Sequence, residues 1–550
     1  MITDTIFSHP IVASVIAGLL LLGIIAKLMK VSFERIAKWY LYASVFSVVI
    51  VMDSIFFPFI GGKDFYFRFA TELALACMVF WWAFEAKKGE AKARISVLFH
   101  RPLVIAVTAF TAIFEIACLF AYDIHAAFWS NYERGEGGFQ MLHYYLFFLL
   151  LVLIFKDEKD WKNIFRFSLI SAGAMILYGI GGNYSVPGFI GPYSGSTAPT
   201  GWWNLLIQGR FEGSLGNPAY VDPYLIFSMF FAAYLWVASK MAGKLTTLKS
   251  WGYGVLIAVF FFFFALGQTR GAFLGLDAGL FVLLGYLVMH ESRKVRNWAW
   301  ACVLLPSLIF FAVYQFMGHG VLSSLLDTGL FGANFGILVF LAALSFSKSG
   351  AMRISSRIIL GIIIVVAAIG VPIGLHHLAA VENVPESRVL QISLSDSSAQ
   401  TRFWVWEEAW QGFLERPVLG WGPENFTAVF DKFFNPNFYV PGQNTETWFD
   451  RAHSVYFDYL SETGIFGLLS YLAMFVVFYW EFIKKAHKRT IAEERHAGAY
   501  TLEKGLVFSL LVAYLVQGIA IFDVFPMYIS LFLFLAFAAY YFSDAKKSHA

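Results

Sequence analysis

Taking a proton from a hydroxyl near neutral pH is work suited to a neutral imidazole. His453 is placed for it, in Asp450-Arg-Ala-His-Ser-Val-Tyr-Phe-Asp458 at the mouth of a long apolar run. Asp450, Asp458 and Glu462 are candidate orienting carboxylates. Asp458 and Glu462 are four apart and share a helix face, while Asp450 suits a turn or cap. The bland alternative is an ordinary interfacial histidine, the commoner fate of a lone one. A second chemistry is anion binding by arginine forks. Arg402 falls on the apolar side of an amphipathic segment, near Trp406 and Phe413. A guanidinium directed inward needs an anionic partner, unless it snorkels to the surface. Arg270, in Leu266-Gly-Gln-Thr-Arg-Gly271, stands between two apolar runs, and charges at membrane edges tend to be paired or functional. Arg210, Arg416, Glu424 and Arg451 complete the candidate substrate contacts. An ion pair with Glu212 would equally account for Arg210. Together the five arginines would form an anion-attracting cluster.

The elements that must position these residues are membrane helices. Of 550 residues 59% are hydrophobic and only 14% charged, against roughly 25% charged in a soluble protein. Such a chain cannot clothe a water-facing surface. The net charge of +3 offers no argument for nucleic acid. Cys77, Cys118 and Cys302 fall in separate apolar runs without a CxxC, so no metal site or disulfide framework is indicated. A span needs about 20 apolar residues. Candidates lie near 11–29, 36–57, 65–85, 102–122, 140–155, 164–182, 218–239, 252–268, 271–290, 298–317, 328–346, 356–378, 455–481, 503–523 and 526–542. The first lacks a basic flank and cleavage site, and reads as a retained span. The fold expected is therefore all-α, one polytopic bundle over residues 1–550 with about 14–15 spans.

Numbering the loops alternately puts 30 of the 40 Lys and Arg in one set, between Lys27–Lys38 and Lys546–Lys547. The positive-inside rule makes that set cytoplasmic, with the N-terminus outside and the C-terminus inside. Two outer loops are long: loop A, 181–217, and loop B, 379–452. Long structureless loops are uncommon unless functional, and both are rich in aromatics. In loop B, Asp396-Ser-Ser398 offers a cap and Pro417 a stop. Between them Ala399, Phe403, Trp406, Trp410 and Phe413 share one face, which suits a helix lying at the membrane interface. Gly420, Gly422 and Pro423 then force a tight turn. Its amides can approach a ligand, or it can be a simple helix-to-loop corner.

The ordered set of motifs resembles the O-antigen ligase/O-antigen polymerase (Wzy_C-type) superfamily of bacterial membrane glycosyltransferases. The matching pieces are Gly216-Asn-Pro-Ala219, Gln268-Thr-Arg-Gly271, Arg402…Trp406…Ala409-Trp410, Pro417-Val-Leu-Gly-Trp-Gly422 and Ala452-His-Ser454…Tyr459-Leu460…Gly464…Gly467. They cover about Arg210 to Leu472; the earlier spans match only as apolar helices. Ser454 stands where many relatives carry Asn. The resemblance implies a GT-C-like enzyme in the bacterial cytoplasmic membrane. It would take a glycan from an undecaprenyl-pyrophosphate carrier on the outer leaflet, with no cofactor, nucleotide sugar or metal. Arg270 and Arg402 would then bind the pyrophosphate and His453 would be the general base. Ligase, polymerase and protein oligosaccharyltransferase are equally compatible. A transporter or flippase of lipid-linked glycans is the alternative class. It would favour mid-membrane charges and repeated halves, whereas the distinctive charges here cluster outside and no repeat is visible. A membrane scaffold would not need inward arginines.

Overall fold

The computed structural model describes residues 17–18, 20–21, 24–25, 27–52, 57–131, 134–183, 210–243, 246–290, 397–439, 446–486 and 497–543. These residues form fifteen α-helices and no strand. In chain order the helices are α1 (Phe33–Ser44), α2 (Gly61–Phe84), α3 (Glu90–Leu98), α4 (Pro102–Leu119), α5 (Ile124–Trp129), α6 (Gly138–Ile154), α7 (Glu158–Asn183) and α8 (Pro218–Met241). There follow α9 (Thr247–Gly267), α10 (Arg270–His290), α11 (Ser397–Glu415), α12 (Phe426–Lys432), α13 (Val455–Ala486), α14 (Ala497–Gln517) and α15 (Phe525–Tyr541). Eight of them, α2, α4, α7, α8, α9, α10, α13 and α14, are long and apolar enough to cross a membrane; α6 and α15 are apolar but shorter. The protein is a polytopic helical membrane bundle. Most of the first expected span, and those at 298–317, 328–346 and 356–378, lie outside the described residues.

Helices apolar all round belong at the centre of a bundle. The α8 and α15 helices take that place: nearly every residue from Tyr220 to Leu235 and from Phe525 to Tyr540 is buried. Aromatic rings knit them to α7, with Phe165 stacked on Phe231 at 4.4 Å and Trp161 on Tyr540 at 5.6 Å. The Asn217-Pro218 motif works as a helix start. The Asn217 side chain accepts from the Ala219 amide, and Pro218 fills a first-turn position where no amide is needed.

The expected span 36–57 forms differently. It runs as α1, then a 3-10 turn at Val45–Val49, and becomes extended at Ile50. Ser44 and Ser47 hydroxyls donate back to Leu41 O and Ser44 O, the local competition that disfavours a regular helix. The freed Ile50 carbonyl accepts from the Lys63 ammonium at 2.5 Å. An apolar count sees none of this.

Loops of the basic-rich set pair with one another. Lys38 meets Asp160 at 2.6 Å, Arg94 meets Glu34 at 3.1 Å and Lys27 meets Glu85 at 2.7 Å. Loops of the basic-poor set likewise join each other, as when the Tyr122 amide donates to Trp421 O at 2.7 Å. Sidedness has a direct test. In a background without native cysteines, Asn437→Cys or Ser196→Cys should react with an impermeant thiol reagent in intact cells, and Ser292→Cys should not. The reverse labelling pattern would invert the orientation.

Candidate functional site

Loop B has its own small core of Val405, Ala409, Trp421, Phe426, Val429, Phe430, Phe438, Phe449 and Ala452. The α11 helix forms where expected, but the face it gives this core is Val405, Glu408, Ala409 and Gly412. Phe403 and Trp410, of the expected aromatic stripe, stay 39% and 47% exposed. Small residues explain the choice: a Cβ on Gly412 would lie 2.4 Å from Val429, so only a side chain this short lets α12 approach. Phe403 and Trp410 are left facing away from this core, as suits a helix at a lipid interface.

The Pro417–Gly422 turn settles into a break in α13. Gly464 interrupts that helix with φ 65° and ψ −167°, a region reached almost only by glycine. The break would strand backbone groups, and the turn satisfies them. Trp421 N–H donates to Ser461 O at 2.9 Å, Gly422 N–H to Glu462 O at 2.8 Å, and Ile465 N–H to Pro417 O at 2.8 Å. The turn is thus the corner reading of the motif, its amides spent on the protein. A Cβ on Gly464 would come within 2.4 Å of Val418 O. Gly464→Ala should therefore lower the thermal midpoint of the purified protein, at a cost on the order of 1–3 kcal/mol. Gly173→Ala, at a helical glycine with open space around it, should be neutral or slightly stabilising. Equal midpoints for the two variants would remove the strain argument.

With α11 and α13 so joined, Trp406 stacks on Phe457 at 5.3 Å. Each lies four residues after a candidate, Arg402 and His453, and the Arg402 charge bears on the His453 ring. His453 has φ 54°. Its Nδ1 lies 3.1 Å from the Arg451 carbonyl oxygen, which can only accept, so Nδ1 carries the proton and Nε2 keeps its lone pair. Phe449 and Phe522 flank the ring edge-on at 5.3 and 5.1 Å. Burial pushes the imidazole down to about 4; the Arg451 carbonyl and Asp450 oppose that, while Arg402 and Arg134 add to it. The ring is neutral at physiological pH.

The residues before it are tied in turn. Arg134 forks onto Asp450, Nε to Oδ2 at 2.8 Å and Nη2 to Oδ1 at 3.0 Å. Burial alone would raise the Asp450 carboxyl, but the fork holds it below the usual range. The buried Arg451 guanidinium donates to Glu424 and, at 3.3 Å, to Glu462, with Glu136 at 4.0 Å. Burial pushes Glu136 well up, against the pull of Arg451. Glu424 also accepts from the Ser130 hydroxyl at 2.6 Å. Ser130, Gln268, Glu424 and His453 are four of the five non-glycine residues at positive φ among the described residues. Such strain collects at functional sites.

The remaining candidates take distinct places. Arg210 donates to Gly267 O at 2.8 Å and Thr269 Oγ1 at 3.1 Å, steadying the turn from which Arg270 starts α10. Gly271 packs against Ala520, which a Cβ would meet at 3.0 Å. The same 517–524 loop accepts the Val455 amide through Gly518 O and Ile521 O and supplies Phe522 to His453. Arg270 and His453 therefore flank one loop. Arg416 lies over the Trp421 and Tyr122 rings at 4.5 and 5.7 Å, on the turn. The sequence reading passed over Arg134, Glu136 and Tyr220, whose hydroxyl accepts from Arg134. The scarcity of basic residues in outer loops would have flagged Arg134.

Fold and site define a multi-pass membrane protein that gathers a neutral histidine and guanidinium groups at one end of its bundle. The family model for the O-antigen ligases, Wzy_C, matches residues 314–472, a segment holding Arg402, the Pro417–Gly422 turn, His453 and Gly464. The match supports glycan transfer of the O-antigen ligase type and, in general terms, a lipid-linked glycan donor. No curated protein matches the chain.

Proposed function

We propose that the protein transfers a glycan from an undecaprenyl-pyrophosphate-type carrier to an acceptor hydroxyl at the outer face of the bacterial cytoplasmic membrane. The observation that carries this reading is the fixed Nδ1–H of His453, which leaves the Nε2 lone pair available in the field of the Arg402 charge. In the step, the acceptor oxygen bonds to the anomeric carbon and its proton passes to Nε2. The bond from that carbon to the pyrophosphate oxygen breaks, and the carrier pyrophosphate leaves with the electron pair. Arg270 and Arg402 neutralise the charge growing on it, so the reaction needs no metal. Arg451 and Glu424 hold the His453 turn, Arg210 holds the Arg270 turn, and Arg416 packs the corner.

Purified protein supplied with a lipid-pyrophosphate-linked glycan and acceptor should release carrier pyrophosphate in step with glycan appearing on the acceptor. Glycan that crosses a vesicle membrane while still attached to its carrier would instead establish a transporter.

A further inference from the structure

We infer that the Arg134–Asp450 pair is a positioning device for His453, holding its ring where Nε2 can meet the acceptor hydroxyl; this rests on the reading of His453 as the base. Each of the three residues before His453 has an anchor of its own. Asp450 is gripped by the Arg134 fork, and Arg451 by Glu424 and Glu462. The Ala452 amide donates to Asp458 Oδ1 at 2.6 Å. Three such ties can hold a histidine at a φ that side chains other than glycine seldom adopt.

Arg134 acts twice in this arrangement. Besides forking onto Asp450 it lies over the Phe522 ring at 4.8 Å, and Phe522 is the wall against which His453 sits. Arg134 is itself fixed by donating to the Tyr220 hydroxyl of α8. One guanidinium thus sets both the backbone leading to the imidazole and the surface behind it, and the ring has little freedom to turn away. The charges facing the ring are Arg402 from α11, Arg134 from the loop before α6, and Asp450 from its own turn.

A double-mutant cycle tests the inference. Asp450→Asn should lower the single-turnover transfer rate roughly 10- to 100-fold, the scale of an orienting partner, with KM for the donor little changed. In a His453→Gln background the same substitution should cost less than about 2-fold, because the positioned base is gone. Arg134→Lys keeps the charge but loses the fork and should behave alike. It also serves should Asp450→Asn fail to fold, with thermal midpoints checked for all variants. Asp450→Asn should further move the acid limb of the pH profile to lower pH, since it removes a negative charge that favours the imidazolium. A merely structural residue would leave that limb in place. Equal fold-losses in both backgrounds, or a change confined to KM, would overturn the positioning role. Normal turnover by His453→Gln would overturn the base assignment, and the positioning role with it.

Discussion

His453→Ala lowers glycan transfer by roughly 10²–10⁴-fold, the contribution of a positioned general base. Donor binding should change little, since the proposal gives the pyrophosphate end to Arg270 and Arg402. The pH dependence follows from the site. An ordinary histidine would give an acid limb near pH 6.5. Here burial and the Arg402 charge push the imidazole down to about 4. The neutral form persists as pH falls until that value is approached, so the wild-type acid limb should lie near pH 4 to 5. A limb at 6.5 would mean that the ring is solvated or that bound pyrophosphate restores its basicity.

Removing either arginine proposed to bind the pyrophosphate should have the second largest effect. If they stabilise the developing charge as proposed, Arg402→Ala and Arg270→Ala should each cost on the order of 10²–10³-fold in turnover. Arg270→Lys separates charge from geometry. It keeps the positive charge but loses the bidentate fork, so activity should fall clearly while the protein still inserts and folds. Full transfer by both alanine variants would remove the pyrophosphate role. An equal loss of folded protein in the detergent extract would make these arginines structural.

Much of this was legible in the residues. Runs of apolar side chains long enough to span a bilayer have few alternatives in a chain this poor in charge, and among the described residues the expected spans from 65–85 onward are helical, while 36–57 breaks after α1. The α11 helix was marked by its serine-rich start and Pro417. Asn217-Pro218, within one of the matching motifs, caps α8. What escaped were features decided by contacts distant in sequence. Val405, Glu408, Ala409 and Gly412 became the buried face of α11 because the small residues admit α12, although the larger aromatics had the stronger periodic signal. The Gly420/Gly422 turn meets a helix break at Gly464 some forty residues on, and no local pattern announces that pairing. Arg451 looked like a phosphate ligand by residue type, yet Glu424 and Glu462 occupy its fork. Arg134 lies more than 300 residues before the Asp450 it grips.

The polar site also explains why the loops are packed as they are. Buried charges are costly unless paired, and Arg134, Arg451, Asp450, Glu424 and Glu462 come from three separate segments of chain. Their mutual pairing gathers the loop between α4 and α6, the turn before α12 and the start of α13 around His453. A site of this kind depends on those segments meeting correctly, which is a reason to measure folding alongside activity in every variant.

The most direct measurement compares donor binding and single-turnover transfer in His453→Gln at neutral pH. Glutamine keeps hydrogen-bonding groups at this position but cannot take up a proton there. The account predicts lipid-linked donor bound with near wild-type affinity and transferred at least about 100-fold more slowly. Near-normal transfer by that variant would contradict the assignment of His453 as the base.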